Sequence, residues 1–498
     1  MRPLMNHSPC LAYTASDIKL IEKKSHADGL DASLLISRAA LAAYQMIRQS
    51  WPNARSVLIL TGAGHNAADG FCLAKKAYEE GLSVHLMPVS AVETLSPLTQ
   101  ALYQSCLTLG IHCIPFTKDA LLDADVIVDA LLGTGLAREI SGDYLAAIEA
   151  VNRSNCPVLS LDLPSGIHAD TGAVMGGAVR ATQTLTFIAY KTGLLTGNAL
   201  DYTGKLSLNT LGIRWDALTV PPRACACDLS DIQMPQRPLN SHKGLFGHVL
   251  VIGGNYGMLG AAQMAGLAAL RTGAGKVTVL TRKKHAHLVS SLSPELMSWG
   301  TEKLKTWPTD KSLPTLIIIG PGLGQDSWAK KMMTFALKQA LPLIVDGDAL
   351  RLLGHQPTHR LKWILTPHPG EASTLLGLST SQIQSDRWET AQALQIKYGG
   401  TIVLKGAGTV IQPHQGTTRF LWQVGNPGMA TAGMGDILSG IIGGLVAQGL
   451  DCDAAAIAGS WIHAQAGDDA AQQGGSCGLL ATDLLPEIRK WVNRLSRF

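Results

Sequence analysis

The sequence predicts an α/β protein of two domains, the first a parallel sheet covered by helices on both faces in three αβα layers and the second a further α/β domain. Three observations carry this reading. The chain has 498 residues, more than one ordinary core accommodates. Hydrophobic residues make up 46% and charged ones 16%, which suits a packed enzyme and argues against disorder. Short apolar runs alternate with helical patterns through both halves, and strand–helix alternation implies a parallel sheet.

In the first half, "SVLILTG", "LSVHLMPV", "DVIVDAL" and "CPVLSLDLPSG" read as buried strands, with "TLTFIA" and "GKLSLN" after them. Between them "DGFCLAKKAYEEG", "TLSPLTQALYQSCLTLG" and "GDYLAAIEAVNRS" carry helical spacing. The alternation lapses over "WDALTVPPRACACDLSDIQMPQRPLNSHKG", which is rich in Pro, Asp, Asn and Ser and is expected to be a linker. This sets the expected domains at 1–225 and 226–498. The second half restarts with "GHVLVIGG", "GKVTVLT", "TLIIIGPG", "LPLIVDGD", "WILTPH" and "GTIVLKGAG" as strands. "GAAQMAGLAALRTG" and "DILSGIIGGLVAQGL" are its clearest helices, the latter too short to span a bilayer.

A net charge of +4 with no Lys/Arg run gives no support to nucleic-acid or membrane-surface binding. The nine cysteines are scattered, and the Cys225–Cys227 pair has no second cluster to complete a zinc site. Free thiols and an N-terminus without a long apolar core set a cytoplasmic expectation.

Chemistry concentrates where strands end. "SVLILTGAGHNAADG" resembles a dinucleotide fingerprint, but the next strand, "LSVHLMPVS", ends without the acid that would hold an adenine ribose. Asp129 precedes a second glycine loop, Gly133 to Glu139, and "LDLPSGIHADTG" gathers Asp162, Ser165 and Asp170. Lys191 stands at the end of a further strand. Oxygens of Asn66, Asp129 and Ser165 could surround a monovalent or hard cation. Backbone N–H groups of Gly133 to Arg138 could cradle a phosphate. Asp162 is the candidate acid/base, and a turn cap is the alternative.

These three motifs in order resemble the NAD(P)H-hydrate epimerase domain, whose pattern is G-x-G-N-N-G-G-D-G, V-D-x-x-x-G-T-G and D-x-P-S-G. The resemblance covers nearly the whole first half and implies a Rossmann-like domain with K⁺ held by Asn66, Asp129 and Ser165. It places the hydrated nucleotide on His65, Asn66, Ala67, Ala68, Asp69, Gly133, Thr134, Gly135, Leu136, Ala137, Arg138, Glu139 and Asp162. The pattern's N-N-G-G-D is here His65-Asn66-Ala67-Ala68-Asp69, and alanine neither takes positive φ easily nor lets a ligand as close to the backbone. Weaker substrate binding is therefore expected of this loop.

In the second half, "NPGMATAGMGDILSGIIGGL" aims the N–H groups of Gly433, Gly435 and a helix start at one point, an anion hole suited to phosphoryl transfer. Asp436 beside it could deprotonate a hydroxyl. "LKGAGT" offers Lys405, Gly406, Ala407, Gly408 and Thr409 to nucleotide phosphates, and "GPGLG" supplies Gly320 and Gly322. His368 in "LTPHPGE" and Asp346 and Asp348 in "LIVDGDAL" flank them, with His368 open to a turn role and Asp348 to a cap role. His463 and Asp468 in "HAQAGDDAA" read as positions on a packed helix.

"HKGLFGHVLVIGG", "TPHPGE", "LKGAGT" and "NPGMATAGMGD" together resemble the ADP/ATP-dependent NAD(P)H-hydrate dehydratases of the ribokinase-like group, over nearly the whole second half. The resemblance gives Ala261, Gly322, His368 and Asp436 to the hydrate, and Lys405 to Thr409 with Gly435 to ADP, with Mg²⁺ bridging its phosphates. It makes Asp436 the base, implies NADHX and NADPHX as substrates, and leads to the expectation of a homo-oligomer. The rival reading is a ribokinase-like small-molecule kinase with a non-catalytic N-terminal ligand-binding domain.

Overall fold

The structure, a computed structural model, describes residues 10–27, 29–117, 124–215, 219–227, 234, 236–304 and 313–495. Residues 216–218, 228–233 and 235 of the expected linker lie outside these. The chain divides into two compact units, Met1–Ala224 and Cys225–Phe498.

The first unit contains a seven-stranded parallel sheet, in the order His112–Cys113, Ser83–Pro88, Ser56–Thr61, Val126–Ala130, Val158–Leu161, Gln183–Phe187 and Lys205–Asn209. The alternation of side chains along a strand builds two cores from one sheet. Val57 and Ile59 join one cluster with Phe71 and Ala74 of helix His65–Glu79, while Leu58 and Leu60 join another with Ala147, Ile148 and Val151 of helix Gly142–Arg153. Helices Ala15–Ala27 and Ala32–Ser50, ahead of the first strand of this sheet, had no counterpart in the strand–helix reading. Successive strands fill the sheet outward from Ser56–Thr61 in one direction and from Val126–Ala130 in the other. The crevice between these two strand ends is where a doubly wound sheet takes its ligand.

The second unit repeats the principle. Its parallel strands run Met297–Gly300, Lys276–Thr281, His248–Ile252, Leu316–Ile319, Leu343–Val345, Trp363–Leu365 and Thr401–Leu404, each bonded to the next. An antiparallel hairpin, Val410–Gln412 and Thr418–Phe420, extends the last strand and was absent from the sequence reading. Here the order reverses between His248–Ile252 and Leu316–Ile319.

Helix Met434–Ala447 packs along helix Leu259–Thr272 because its glycines admit close approach. A Cβ on Gly440 would lie 2.2 Å from the Ala265 carbonyl, on Gly444 2.7 Å from the Thr272 Cβ, and on Gly443 2.5 Å from Ile318 Cδ1. All nine cysteines are free thiols. Among the described residues no helix is long and apolar enough to cross a membrane.

Two candidate sites at the strand ends

In the first unit the stretch read as a loop, His65 to Asp69, is the first turn of helix His65–Glu79, with Gly64 as its N-cap. Ala67 and Ala68 have helical backbones and fully buried side chains, and the Ala67 N–H is spent on the Gly64 carbonyl at 3.1 Å. The expectation that the two alanines suffer from lost positive φ is thereby corrected. No left-handed conformation is asked of them, and their methyl groups face the core. Gly62, in contrast, is sterically required, since a Cβ there would meet the Leu131 carbonyl oxygen at 2.0 Å.

Asn66, Asp129 and Ser165 converge. The Asn66 amide donates to the Leu132 carbonyl at 2.9 Å and the Leu161 carbonyl at 3.1 Å, which fixes its orientation and leaves Oδ1 buried without a partner. Asp129, fully buried, accepts from the Ser160 hydroxyl at 2.8 Å and from the Ser165 N–H at 2.8 Å and hydroxyl at 2.5 Å. Burial still raises its carboxyl above the usual carboxylate range. An orphaned oxygen beside a desolvated carboxylate is a donor set that fits a weakly hydrated cation. Gly133 borders the same spot, its Cβ position 3.4 Å from that of Asn66. From there to Glu139 the loop is irregular and grows more exposed.

Asp162 follows strand Val158–Leu161 with φ +66, a left-handed conformation costly for a residue with a Cβ but tolerated by Asp. Its carboxylate pairs with the buried Lys191 ammonium and accepts from the Phe187 N–H at 3.2 Å. Lys191 also donates to Thr186 Oγ1 at 3.0 Å and the Phe187 carbonyl at 2.9 Å. Burial, and after it the neighbouring Asp162 and Glu22, holds Asp69 well above the ordinary carboxylate range. Asp69, Asp162 and Lys191 therefore form one charge cluster. Asp170 serves elsewhere, accepting from the Ala15 N–H at 2.6 Å.

In the second unit Asp436 lies in the first turn of helix Met434–Ala447, whose N-cap Gly433 has φ +93. Burial first, then Asp346, pushes its carboxyl up to about 7 against the opposing pull of Lys405. Lys405 donates to Asp346 Oδ1 at 2.8 Å and stands 3.6 Å from Glu371 Oε2. Burial works against its charge, but these carboxylates outweigh that and raise its pKa. Burial likewise opposes an ionised Asp346, yet Lys405 and the Ser439 hydroxyl, donating at 2.8 Å, hold it below the usual value. Gly435 closes the group, since a Cβ on it would sit 3.2 Å from Lys405 Nζ and 3.5 Å from Asp346 Oδ2.

His368 has a capping role. Its Nδ1 accepts from the Gly370 N–H at 3.0 Å and the Glu371 N–H at 3.3 Å, while Glu371 returns a bond to the His368 N–H at 2.8 Å. Burial lowers its pKa, which suits a neutral imidazole accepting at Nδ1. The ring is 47% exposed, so one edge remains open to a ligand. Asp348 accepts from the Gly324 N–H at 2.8 Å. Ala261 and Gly322 meet, a Cβ on Gly322 lying 3.2 Å from the Ala261 Cβ. Asp468 accepts from the Gly425 N–H and the Asn426 amide, both at 2.9 Å, and so braces the "NPG" turn; His463 shares its helix, Cys452–Gly474.

Sequence reasoning missed Arg387. Almost fully buried, it donates to the Leu404 carbonyl at 3.0 Å and the Lys405 carbonyl at 3.2 Å, underpinning the Lys405–Thr409 loop. Desolvation lowers it to about 10. Gly406, at φ +139, passes so close that a Cβ would meet both terminal guanidinium nitrogens at 3.0 Å. A lone arginine eighteen residues upstream of Lys405 carries no signal in sequence.

Comparison with known proteins follows the same division. Residues 249–490 match the family model described as NAD(P)H-hydrate dehydratase, and residues 32–193 match that of the YjeF-related protein N-terminus. The chain is 44% identical to the bifunctional NAD(P)H-hydrate repair enzyme Nnr of Coxiella burnetii, over 97% of this chain and 99% of that one. It is 41% identical to its namesake in Escherichia coli, over 97% and 94%. Among solved structures, the ADP/ATP-dependent NAD(P)H-hydrate dehydratase of Bacillus subtilis, co-crystallised with ATP/Mg²⁺, is 30% identical. It covers 53% of this chain and 95% of its own, with a TM-score of 0.48.

Proposed function

The chain belongs to the bifunctional NAD(P)H-hydrate repair enzymes, and from that premise we propose that its first domain epimerises the hydrates and its second dehydrates them. It repairs hydrated nicotinamide nucleotides, interconverting R and S NAD(P)HX and returning the S form to NAD(P)H at the expense of ADP. The observation that carries the dehydratase assignment is Asp436, a carboxyl pushed up to about 7 at a helix N-terminus beside Lys405. A base with that affinity for protons accepts one at neutral pH and is not already ion-paired.

Asp436 takes the proton of the C6 hydroxyl as its oxygen bonds to the β-phosphorus of ADP. The bond from that phosphorus to the bridging oxygen breaks, and AMP leaves. The C6–O bond of the phosphate ester then breaks, pushed by the ring nitrogen lone pair, and C5 gives its proton to the departing phosphate to restore the double bond. Phosphorylation turns hydroxide, a poor leaving group, into a good one. Lys405 and the N–H groups at Gly433–Gly435 stabilise charge on the phosphoryl oxygens. Gly406 to Thr409 hold the nucleotide, and Ala261, Gly322 and the open edge of His368 border the hydrate. Mg²⁺ bound to ADP would neutralise its phosphates.

In the first domain Asp162 is the acid/base at C6, with Lys191 fixing its carboxylate. Asn66, Asp129 and Ser165 would hold K⁺, which supplies positive charge for the nucleotide phosphates. The N–H groups of Gly133 to Glu139 and the polar atoms of His65 and Asp69 complete the wall. Site in the cytoplasm, assembly as a homo-oligomer and the absence of nucleic-acid partners belong to the same reading. The test is to incubate the protein with an equilibrated R/S NADHX mixture, ADP and Mg²⁺ and follow NADH absorbance. Complete conversion, faster than spontaneous epimerisation allows, is expected. A stop once the S fraction is consumed removes the epimerase, and no NADH at all, with phosphate transferred to another alcohol, removes the dehydratase in favour of a small-molecule kinase.

A further inference from the structure

Tyr256 stands in "GGNYGMLGA", between strand His248–Ile252 and helix Leu259–Thr272, and is 53% exposed. An aromatic ring left half in water usually swings freely, but this one is held. The Arg282 guanidinium lies 4.8 Å from its centroid, and the His285 ring meets it edge-on at 5.2 Å and 84°. Arg282 is itself fixed, donating to Asn255 Oδ1 at 2.8 Å, Glu302 at 2.6 Å and Asp326 at 2.5 Å, and stacked on Trp328 at 4.8 Å. The backbone around Tyr256 is equally constrained. The Asn255 N–H donates to the Gly322 carbonyl at 2.7 Å and its amide to the Leu323 carbonyl at 3.0 Å.

A flat ring held by a guanidinium and still half exposed is a platform prepared before any ligand arrives. Its place is informative. Tyr256 flanks the strand-order reversal between His248–Ile252 and Leu316–Ile319, where a doubly wound sheet takes its ligand. Strand Leu343–Val345, which leads into Asp346 beside Asp436, is two strands away, roughly 10 Å at ordinary strand spacing. At that spacing the platform suits a planar group of the same substrate other than the ring that reacts at Asp436.

We propose that Tyr256 is a stacking platform for the adenine base of the hydrated dinucleotide, which rests on the reading of this domain as the dehydratase. Arg282 holds the platform's orientation. The experiment compares hydrated NADH with hydrated dihydronicotinamide mononucleotide, which lacks the adenine, each with ADP and Mg²⁺. In Tyr256→Ala the ratio of kcat/KM, dinucleotide over mononucleotide, should fall about tenfold through KM, the scale of one base stacked on an aromatic ring. Tyr256→Phe should restore it. Tyr256→Leu, which keeps bulk without a flat face, serves in place of Tyr256→Ala should that variant not fold. An unchanged ratio in a protein whose wild type turns over both hydrates overturns the platform, as does an equal fall in Tyr256→Phe. Wild type dehydrating neither hydrate is a different failure, that of the dehydratase reading, and takes the platform with it.

Discussion

The two candidate sites hold their acids in opposite ways. Asp162 has its carboxylate on the buried Lys191 ammonium and its backbone in a left-handed conformation. Asp436 has an ordinary helical backbone and is not the partner of the nearby lysine, because Asp346 takes that bond at 2.8 Å. A paired carboxylate keeps its geometry and yields a proton only when its partner is disturbed. An unpaired one in a desolvated pocket is ready to receive. The difference teaches that an aspartate in a glycine-flanked loop says little until its neighbours are assigned.

The largest expected effect is on the unpaired acid. Asp436→Asn should lower ADP-dependent dehydration by about 10³-fold, within the range for loss of a general base, with epimerisation of the R form retained. Measuring both rates on one preparation checks this; retained dehydration would take the base role from Asp436. Next comes the paired acid. Lys191→Met should abolish epimerisation and destabilise the first domain by about 3–5 kcal/mol, the cost of leaving a buried charge alone. Lys191→Met with Asp162→Asn should recover much of that stability in denaturant melts; a single variant as stable as wild type erases the contrast between the sites.

The pH dependence sharpens it further. In its proposed role as base Asp436 acts ionised and is pushed up to about 7, so dehydration kcat/KM should fall about tenfold per unit as pH drops below that value. For stability the sign is reversed. Asp436 binds its proton more tightly folded than unfolded, so its contribution is fully present below the unfolded value and is lost as pH rises to about 7. Asp436→Asn should thus raise stability at pH 8, by up to about 4 kcal/mol, and much less at pH 4. The smallest effect falls on Gly435→Ala. Its methyl group would press on Lys405 at 3.2 Å, and a shift of a few tenths of an ångström should raise KM for ADP by less than about tenfold.

Much of this was legible in the sequence. Most of the sheet strands were read from apolar runs ending in glycine or a polar residue, because a strand buried on both faces leaves no other pattern. The short strands His112–Cys113 and Met297–Gly300 and the hairpin Val410–Gln412 and Thr418–Phe420 were not. The helix start at His65 was also readable, since Ala67, Phe71 and Ala74 already trace one apolar face from there. Attention to the glycine pattern hid it. His368 and Glu371 were read as a turn; the capping box they form was hidden, because histidine at the cap lies outside the Ser/Thr-x-x-Glu/Gln signature. Arg387 was out of reach, because what defines it is two carbonyls that only the fold brings together. So was the orphaned Asn66 oxygen, which depends on where Leu132 and Leu161 send their carbonyls.

The glycine seam on helix Met434–Ala447 has a consequence for motion. With Gly440 and Gly444 seated on helix Leu259–Thr272 and Gly443 against the sheet, the helix can neither slide nor roll without collision. The helix that carries Asp436 is therefore clamped between its neighbour and the sheet. Whatever opens to admit two nucleotides and closes to shed water must be sought in the loops that face it.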